Sequence, residues 1–376
     1  MPEVVIIGGG VIGLSTAYEL AGQGCAVRVM DQGPLGQEAS WAGAGMLPPG
    51  GLDGPVTLES QLRAHSFRLW SQWAAGITEA SGIDTGYRRC GCFEFRSTDA
   101  AATLFAEIET WRREGVPVEP LSAADMRARY PAVDSGNLVA YWLADAAQVR
   151  NPRLLKALMA ACLHRGVQLS PGRPVQELRI DYGRVRSIET PTESITADEF
   201  VLAAGAWSQG LLKRIGLDLR AEPVKGQMVL LEQQPAPVAC IVQSGLRYIV
   251  PRADGRVLIG ATEERVGFDK SNTAEGVSGL LSFAQQVIPG LRAARFERSW
   301  AGLRPWRPGG LPVIGRAPGV DNLIVASGHF RSGLQLSPIT AQLIRQLICR
   351  QPLSIPQTLL ETALQSSAIP ESPRPA

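Results

Sequence analysis

Gly8, Gly10 and Gly13 form a G-x-G-x-x-G spacing directly after the apolar run Val4–Ile7 and at the opening of a helical stretch, Leu14–Leu20. Few chains can place three glycines there and still choose freely among folds. The first glycine permits a tight turn, the second lets a pyrophosphate approach the backbone, and the third lets helix and strand pack closely. Ala26–Met30 then returns as a second strand, completing a βαβ unit of about 30 residues. The helix N-terminus presents free N–H groups to an anion. Asp31, at the end of the second strand, stands where a carboxylate binds ribose hydroxyls. Strand, triplet, helix, strand and acid in this order predict a Rossmann-type dinucleotide unit. They do not separate NAD from FAD.

The 376-residue chain is long enough for a second core. Thirty-seven basic residues against thirty-five acidic ones leave a formal charge of +2, with no run of one sign. That balance recruits neither nucleic acid nor an anionic membrane surface. The apolar start is too short for a membrane span and lacks the basic flank of a secretory signal, so a cytoplasmic protein is expected. Six scattered cysteines, without histidines at ligand spacing, read as reduced thiols packed as small apolar groups, and no metal site is expected.

Residues 34–54, rich in Gly, Pro and Ala, read as a long loop close to something that tolerates only small side chains. A helix is expected from Leu58 into the Trp70 region, and another with Asn151 as N-cap and Pro152 at its first position. VQLSPGRPVQELRI and GRVRSIET read as a hairpin. RYIVPR and RVLIGA, joined across Ala253-Asp254-Gly255, read as antiparallel strands. Lys225, in PVKGQ, is either a cofactor neighbour or a solvated turn lysine, and the turn reading is preferred. Trp41, Trp300 and Trp306 read as packing groups. The pieces alternate, which predicts two interleaved domains with a ligand between them. The divisions fall at 1–84, 148–218 and 304–365 for the nucleotide part and at 85–147 and 219–303 for the other, with a disordered tail over 366–376.

Two later segments, EFVLAAGAWS and NLIVASGHFRSG, are buried strands ending at Gly205 and Gly328, as parallel sheets end at ligands. Gly333 then opens toward a helix whose positive end could face a flavin. With these segments the chain resembles glycine oxidases of the thiamine-biosynthesis type in the D-amino-acid oxidase family. The resemblance is carried by VVIIGGGVIGLSTAYEL, SWAGAGML, PVKGQ, RYIVPR, WAGLRP and GHFRSG, in the family's order. It implies an α/β fold, an FAD-binding Rossmann-like domain interleaved with an α+β substrate domain on a mixed, largely antiparallel sheet. FAD would be held without a covalent link.

Carried over one residue at a time, Val11, Ile12, Asp31, Gln32, Ser40, Ala44, Gly45, Met46, Val175 and the run His329, Phe330, Arg331, Ser332, Gly333, Leu334, Gln335 would line the FAD. Arg304 matches the family's carboxylate-binding arginine, Tyr248 the tyrosine that assists it, and Arg331 a residue near the flavin and the entrance. Two positions depart from the pattern. Glu263 stands where family members place Met beside the substrate, and Leu246 where some have His. Alternation along RVLIGATEE puts Glu263 and Glu264 on opposite faces, so Glu263 either faces the cavity or points out at the rim.

By this resemblance the chain oxidises glycine or a similar small primary or secondary amine, such as sarcosine or a small D-amino acid, by hydride transfer to flavin N5. O₂ would reoxidise the flavin to give H₂O₂, and the imine would hydrolyse to glyoxylate or feed thiazole synthesis. A homo-oligomer is implied. The alternative is an amino-acid dehydrogenase passing electrons to a protein or quinone, and a third reading is an NAD-binding sensor. The three histidines, His65, His164 and His329, form no triad with a nucleophile, and this chemistry needs none.

Overall fold

The computed structural model describes residues 1–51, 53–54, 57–136 and 138–360. The tail expected over 366–376 lies outside the described residues. A six-stranded sheet runs in the order Val313–Arg316, Leu323–Ser327, Glu199–Leu202, Glu3–Ile7, Ala26–Met30, Gln168–Ser170. All neighbours in it are parallel except Val313–Arg316 against Leu323–Ser327. Alternating residues of the central strands Glu3–Ile7, Glu199–Leu202 and Leu323–Ser327 are buried on opposite faces, which explains their apolar composition. Val4, Ile6, Val29 and Ile324 pack under the helices Val11–Ala21, Leu58–Ser81, Asn151–His164 and Ser337–Ile348. Val5, Ile7, Phe200 and Val325 pack under a three-stranded sheet, Glu177–Asp181, Arg184–Glu189 and Ser194–Ile195.

The second large sheet has eight strands in the order Arg295–Trp306, Glu222–Glu232, Arg256–Gly260, Arg247–Pro251, Ile241–Ser244, Cys92–Ser97, Leu138–Leu143, Glu119–Leu121. It is antiparallel except where Ile241–Ser244 runs parallel to Cys92–Ser97. One face holds Phe93, Val229, Ile249 and Ile259 against the helix Ala274–Val287. The mixed fold agrees with the expected class, and the hairpin across Ala253-Asp254-Gly255 forms as expected.

Several local expectations need correction. Gln168–Ser170 does not join the hairpin but pairs with Ala26–Met30 at the edge of the parallel sheet, while Glu177–Asp181 pairs with Arg184–Glu189. The helix expected from Leu58 into the Trp70 region forms as expected and runs on to Ser81, where Trp73 and Ile77 continue the buried stripe. Asn151 is the first helical residue and Arg150 the cap, since the Asn151 side chain is drawn away to the backbone oxygen of Ser40. The expected division at 303/304 falls inside the strand Arg295–Trp306, which keeps its pairing to Trp306.

Candidate active site

Parallel register sets Ile7 beside both Met30 and Leu202, and Leu202 beside Val325, so the carboxyl ends of these strands share one edge. A cavity of about 570 Å³ opens there. Gly8, Asp31, Gly205 and Ser327 line it from the parallel sheet, and Gly226, Met228, Tyr248 and Arg304 line it from the antiparallel one. It lies in the crevice where open α/β sheets bind ligands.

The parallel-sheet end is built mostly of backbone. Gly8 has φ +112°, and a Cβ on it would stand 2.4 Å from the oxygen of Ala203, so only glycine lets these two strand ends meet. Gly9 N–H donates to Asp31 Oδ2 at 2.8 Å and Gly33 N–H to Oδ1 at 2.9 Å. The Asp31 carboxylate therefore ties two turns together at the cavity wall. Val11 N–H donates to Ser40 Oγ at 2.9 Å, which places Ser40 over the start of the Val11–Ala21 helix. Gly13 does not reach the cavity. A Cβ there would strike the Gly8 oxygen at 1.9 Å, so its work is helix-to-strand contact.

Val11, Ile12, Gln32, Ala44, Gly45, Met46 and Val175 line the same cavity, with the run from His329 to Gln335. Several of that run act on the protein itself. His329 Nε2 bonds the Thr340 hydroxyl at 3.1 Å, and burial pushes its pKa down to about 3, leaving a neutral ring. The Gln335 backbone oxygen accepts from Trp70 Nε1 at 2.7 Å, while its side chain donates to the Pro48 oxygen at 3.0 Å. Phe330, with φ +49°, donates its N–H to the Pro305 oxygen at 3.1 Å and so joins this run to the strand carrying Arg304. Leu336 N–H to the Ser332 oxygen at 2.8 Å closes the turn before the Ser337–Ile348 helix, so Gly333 precedes the helix by a full turn.

The opposite end is built of side chains. Arg304 sits opposite Val224 in the paired strands, and its guanidinium lies over Gly226, where a Cβ would come within 2.2 Å of Nη2. Arg304 Nη1 donates to the Thr262 oxygen at 3.1 Å. Among the described residues no acidic side chain pairs with Arg304. The Tyr248 hydroxyl points to Met228 Sδ at 3.4 Å. Burial raises the Tyr248 pKa, and the charges of Arg304 and Arg331 oppose that rise.

Glu263 pairs with Arg331 at the cavity rim. Its neighbour Glu264 turns away, accepting from Gln227 Nε2 at 2.7 Å and pairing with Lys225 at 3.0 Å. The two glutamates thus diverge although the strand ends at Gly260. Leu246 is half exposed at the mouth. Lys225 is a correction: it is 1% exposed, on the long strand Glu222–Glu232, between Glu264 and Asp269. PVKG reads as a turn, yet Pro223 falls at the strand's start opposite Pro305, where neither needs to donate to the ladder. Trp41 and Trp300 meet edge-on at 5.2 Å, and Trp306 lies under Arg265, which agrees with packing roles.

Sequence reading missed Asn151 as a site residue. It is 1% exposed, it lines the cavity, and its Oδ1 is a buried acceptor with no bonded partner among the described residues. Glu38, Arg173 and Trp207 also line the cavity unforeseen. Only an Asn at a helix start signalled Asn151, and that signal pointed to capping. The glycine cradle, the helix N-terminus and this open acceptor fit a bound dinucleotide.

The family model described as FAD dependent oxidoreductase matches residues 3–347. Glycine oxidase of Pseudomonas putida is 38% identical over 92% of this chain and 94% of that protein. The bifunctional protein ThiO/ThiG of Synechocystis sp. is 35% identical over 94% of this chain and 52% of its own length. The crystal structure of glycine oxidase from Geobacillus kaustophilus superposes with a TM-score of 0.91 at 32% identity, covering 96% of this chain and 97% of that one.

Proposed function

Because the chain belongs to the FAD dependent oxidoreductase family, we propose that it oxidises glycine or a similar small amine, such as sarcosine or a small D-amino acid, to the imine. The observation that carries this reading is Arg304, a guanidinium without an acidic partner among the described residues, aimed into the cavity that the dinucleotide cradle also lines. Gly8 to Ile12, Asp31, Asn151 and the run from His329 to Gln335 would hold FAD without a covalent bond. When bound, FAD supplies the two-electron oxidant for the substrate Cα–H bond, and O₂ as terminal acceptor would leave as H₂O₂.

The protein's part is binding and orientation. Arg304 takes the substrate carboxylate through two parallel hydrogen bonds, which fixes the plane of the carboxylate and with it the direction of the Cα–H bond. Tyr248 offers a hydroxyl that stays protonated in this setting and donates to the same carboxylate. His329 is neutral and bonded to Thr340, so it moves no proton; hydride transfer draws on the fraction of substrate whose amine is unprotonated. Water hydrolyses the imine from glycine to glyoxylate unless a thiazole-forming reaction of thiamine synthesis consumes it. The bifunctional relative, of which this chain matches 52%, supports placing the product beside a second reaction.

Three further assignments belong to this reading. Residues 1–84, 148–218 and the stretch that follows the strand Arg295–Trp306 form the flavin part, and 85–147 with 219 to the end of that strand the substrate part. The protein acts as a homo-oligomer, which light scattering of the pure protein tests. It acts in the cytoplasm, a placing that its six free cysteines support. No helix among the described residues is long and apolar enough to cross a membrane.

The decisive experiment records the absorbance spectrum of the purified protein and adds glycine or sarcosine without oxygen. A flavin spectrum that bleaches, and returns with H₂O₂ on aeration, is the expected result. A colourless protein, or a flavin that no amine bleaches, would overturn the reading. Bleaching that only a quinone reverses would instead favour the dehydrogenase alternative.

A further inference from the structure

The substrate end of the cavity holds two guanidiniums. Arg304 donates to the Thr262 oxygen, and the very next residue, Glu263, pairs with Arg331. Consecutive residues therefore anchor both arginines, and both charges act on the single hydroxyl of Tyr248. They face one ligand space, yet they are not equivalent. Arg304 meets no acid among the described residues, whereas Glu263 takes up Arg331. The next acid along, Glu264, is committed to Lys225 and Gln227, and Glu38 is held by Lys270. The balance of two cations and one anion leaves one positive charge for a ligand.

We infer that Glu263 sets the charge class of the substrate: by occupying Arg331 it admits amines carrying one carboxylate and turns away those carrying a second anionic group. This rests on the amine-oxidising reading of the site. A second carboxylate, as in an N-carboxymethyl or a dicarboxylic amino acid, would be drawn toward Arg331. There it meets the Glu263 carboxylate, and like charges set side by side cost binding. Removing the charge of Glu263 turns Arg331 into a second anion site in the cavity that Arg304 also lines. The pair is at the rim, with side chains 45% and 30% exposed, so solvent screens it and the discrimination is graded.

The test uses FAD-loaded protein and two ligands that cannot be oxidised as amines. Methoxyacetate has the shape of sarcosine with one carboxylate, and diglycolate has the shape of iminodiacetate with two. Calorimetric titration gives the ratio of their affinities in the parent, in Glu263→Gln, and in the double variant Glu263→Gln with Arg331→Gln. Sarcosine and iminodiacetate kinetics follow in the same proteins. The expected result is an affinity ratio shifted toward diglycolate by about fivefold in Glu263→Gln, the scale of a half-exposed charge pair, and reversed in the double variant. The kinetic ratio should move the same way. An unmoved ratio, or a shift that survives loss of Arg331, overturns the inference while a parent that oxidises sarcosine keeps the function. A parent that oxidises no amine overturns both.

Discussion

The two ends of the cavity are made of different material. The nucleotide end consists of turns, backbone N–H groups and glycines contributed by strand ends that register holds in line. The end proposed for the substrate consists of Arg304, Tyr248, Glu263 and Arg331, brought together from two strands and two loops. A backbone cradle fails when one atom is added to it, because nothing in it can swing aside. A side-chain wall fails by degrees, since each member can be exchanged while the frame stands. On the proposed reading the difference gives cofactor retention to one end and selectivity to the other, and it can be broken experimentally.

The largest effect is expected at Gly8. In Gly8→Val, a Cβ at positive φ would be forced to within 2.4 Å of the Ala203 oxygen, and both strand ends would have to part. The purified variant should carry no flavin colour. A yellow protein with parental FAD content would show that the cradle yields like a side-chain wall.

Next is Arg304→Lys, which keeps the charge but loses the planar fork. The flavin should remain bound while kcat/KM for glycine falls about 100-fold, the usual consequence of a misplaced reacting bond. Loss of FAD as the main effect would erase the division between the ends. Parental kinetics would remove Arg304 from the role of anchor.

That division also decides what could be read from sequence. The cradle was legible because its determinants lie within about 30 consecutive residues and each glycine answers a local steric demand. The paired glutamates were half legible: alternation separated Glu263 from Glu264, but Arg331, 68 positions away, could not be paired with either from spacing. Lys225 was misread because a buried lysine needs partners that only the fold supplies, here Glu264 and Asp269. Asn151 was misread for the same reason, its partner Ser40 lying 111 positions away.

Lys225 itself sharpens the comparison, since it adjoins Gly226 yet does not line the cavity. Replacing it by Met should leave Glu264 and Asp269 facing each other without a cation. Both acids reach water, so the loss of stability is expected below the range for fully buried pairs, about 2 kcal/mol by urea denaturation. A variant as stable as the parent would mean the ion pair contributes nothing to the wall's rigidity.

The smallest effect concerns Glu94, which is 4% exposed on the strand Cys92–Ser97. Its Oε1 accepts from Arg96 at 2.6 Å and from Gly245 N–H at 3.1 Å, and Gly245 belongs to the turn that lines the substrate end. Burial pushes its pKa up to about 7, with Arg96 opposing the rise. The folded protein therefore holds a proton that the unfolded chain has already released, over the interval between the ordinary carboxylate range and neutrality. Stability tied to that proton is fully present below the interval and is lost as pH rises through the folded value. Glu94→Gln cannot titrate, so the parent should lose stability relative to the variant by about 1–2 kcal/mol between about pH 5 and about pH 8. The comparison subtracts every group the two proteins share. A constant difference across that range would mean that Arg96 keeps Glu94 ionised throughout, and that the substrate turn hangs on a permanent ion pair rather than on a proton.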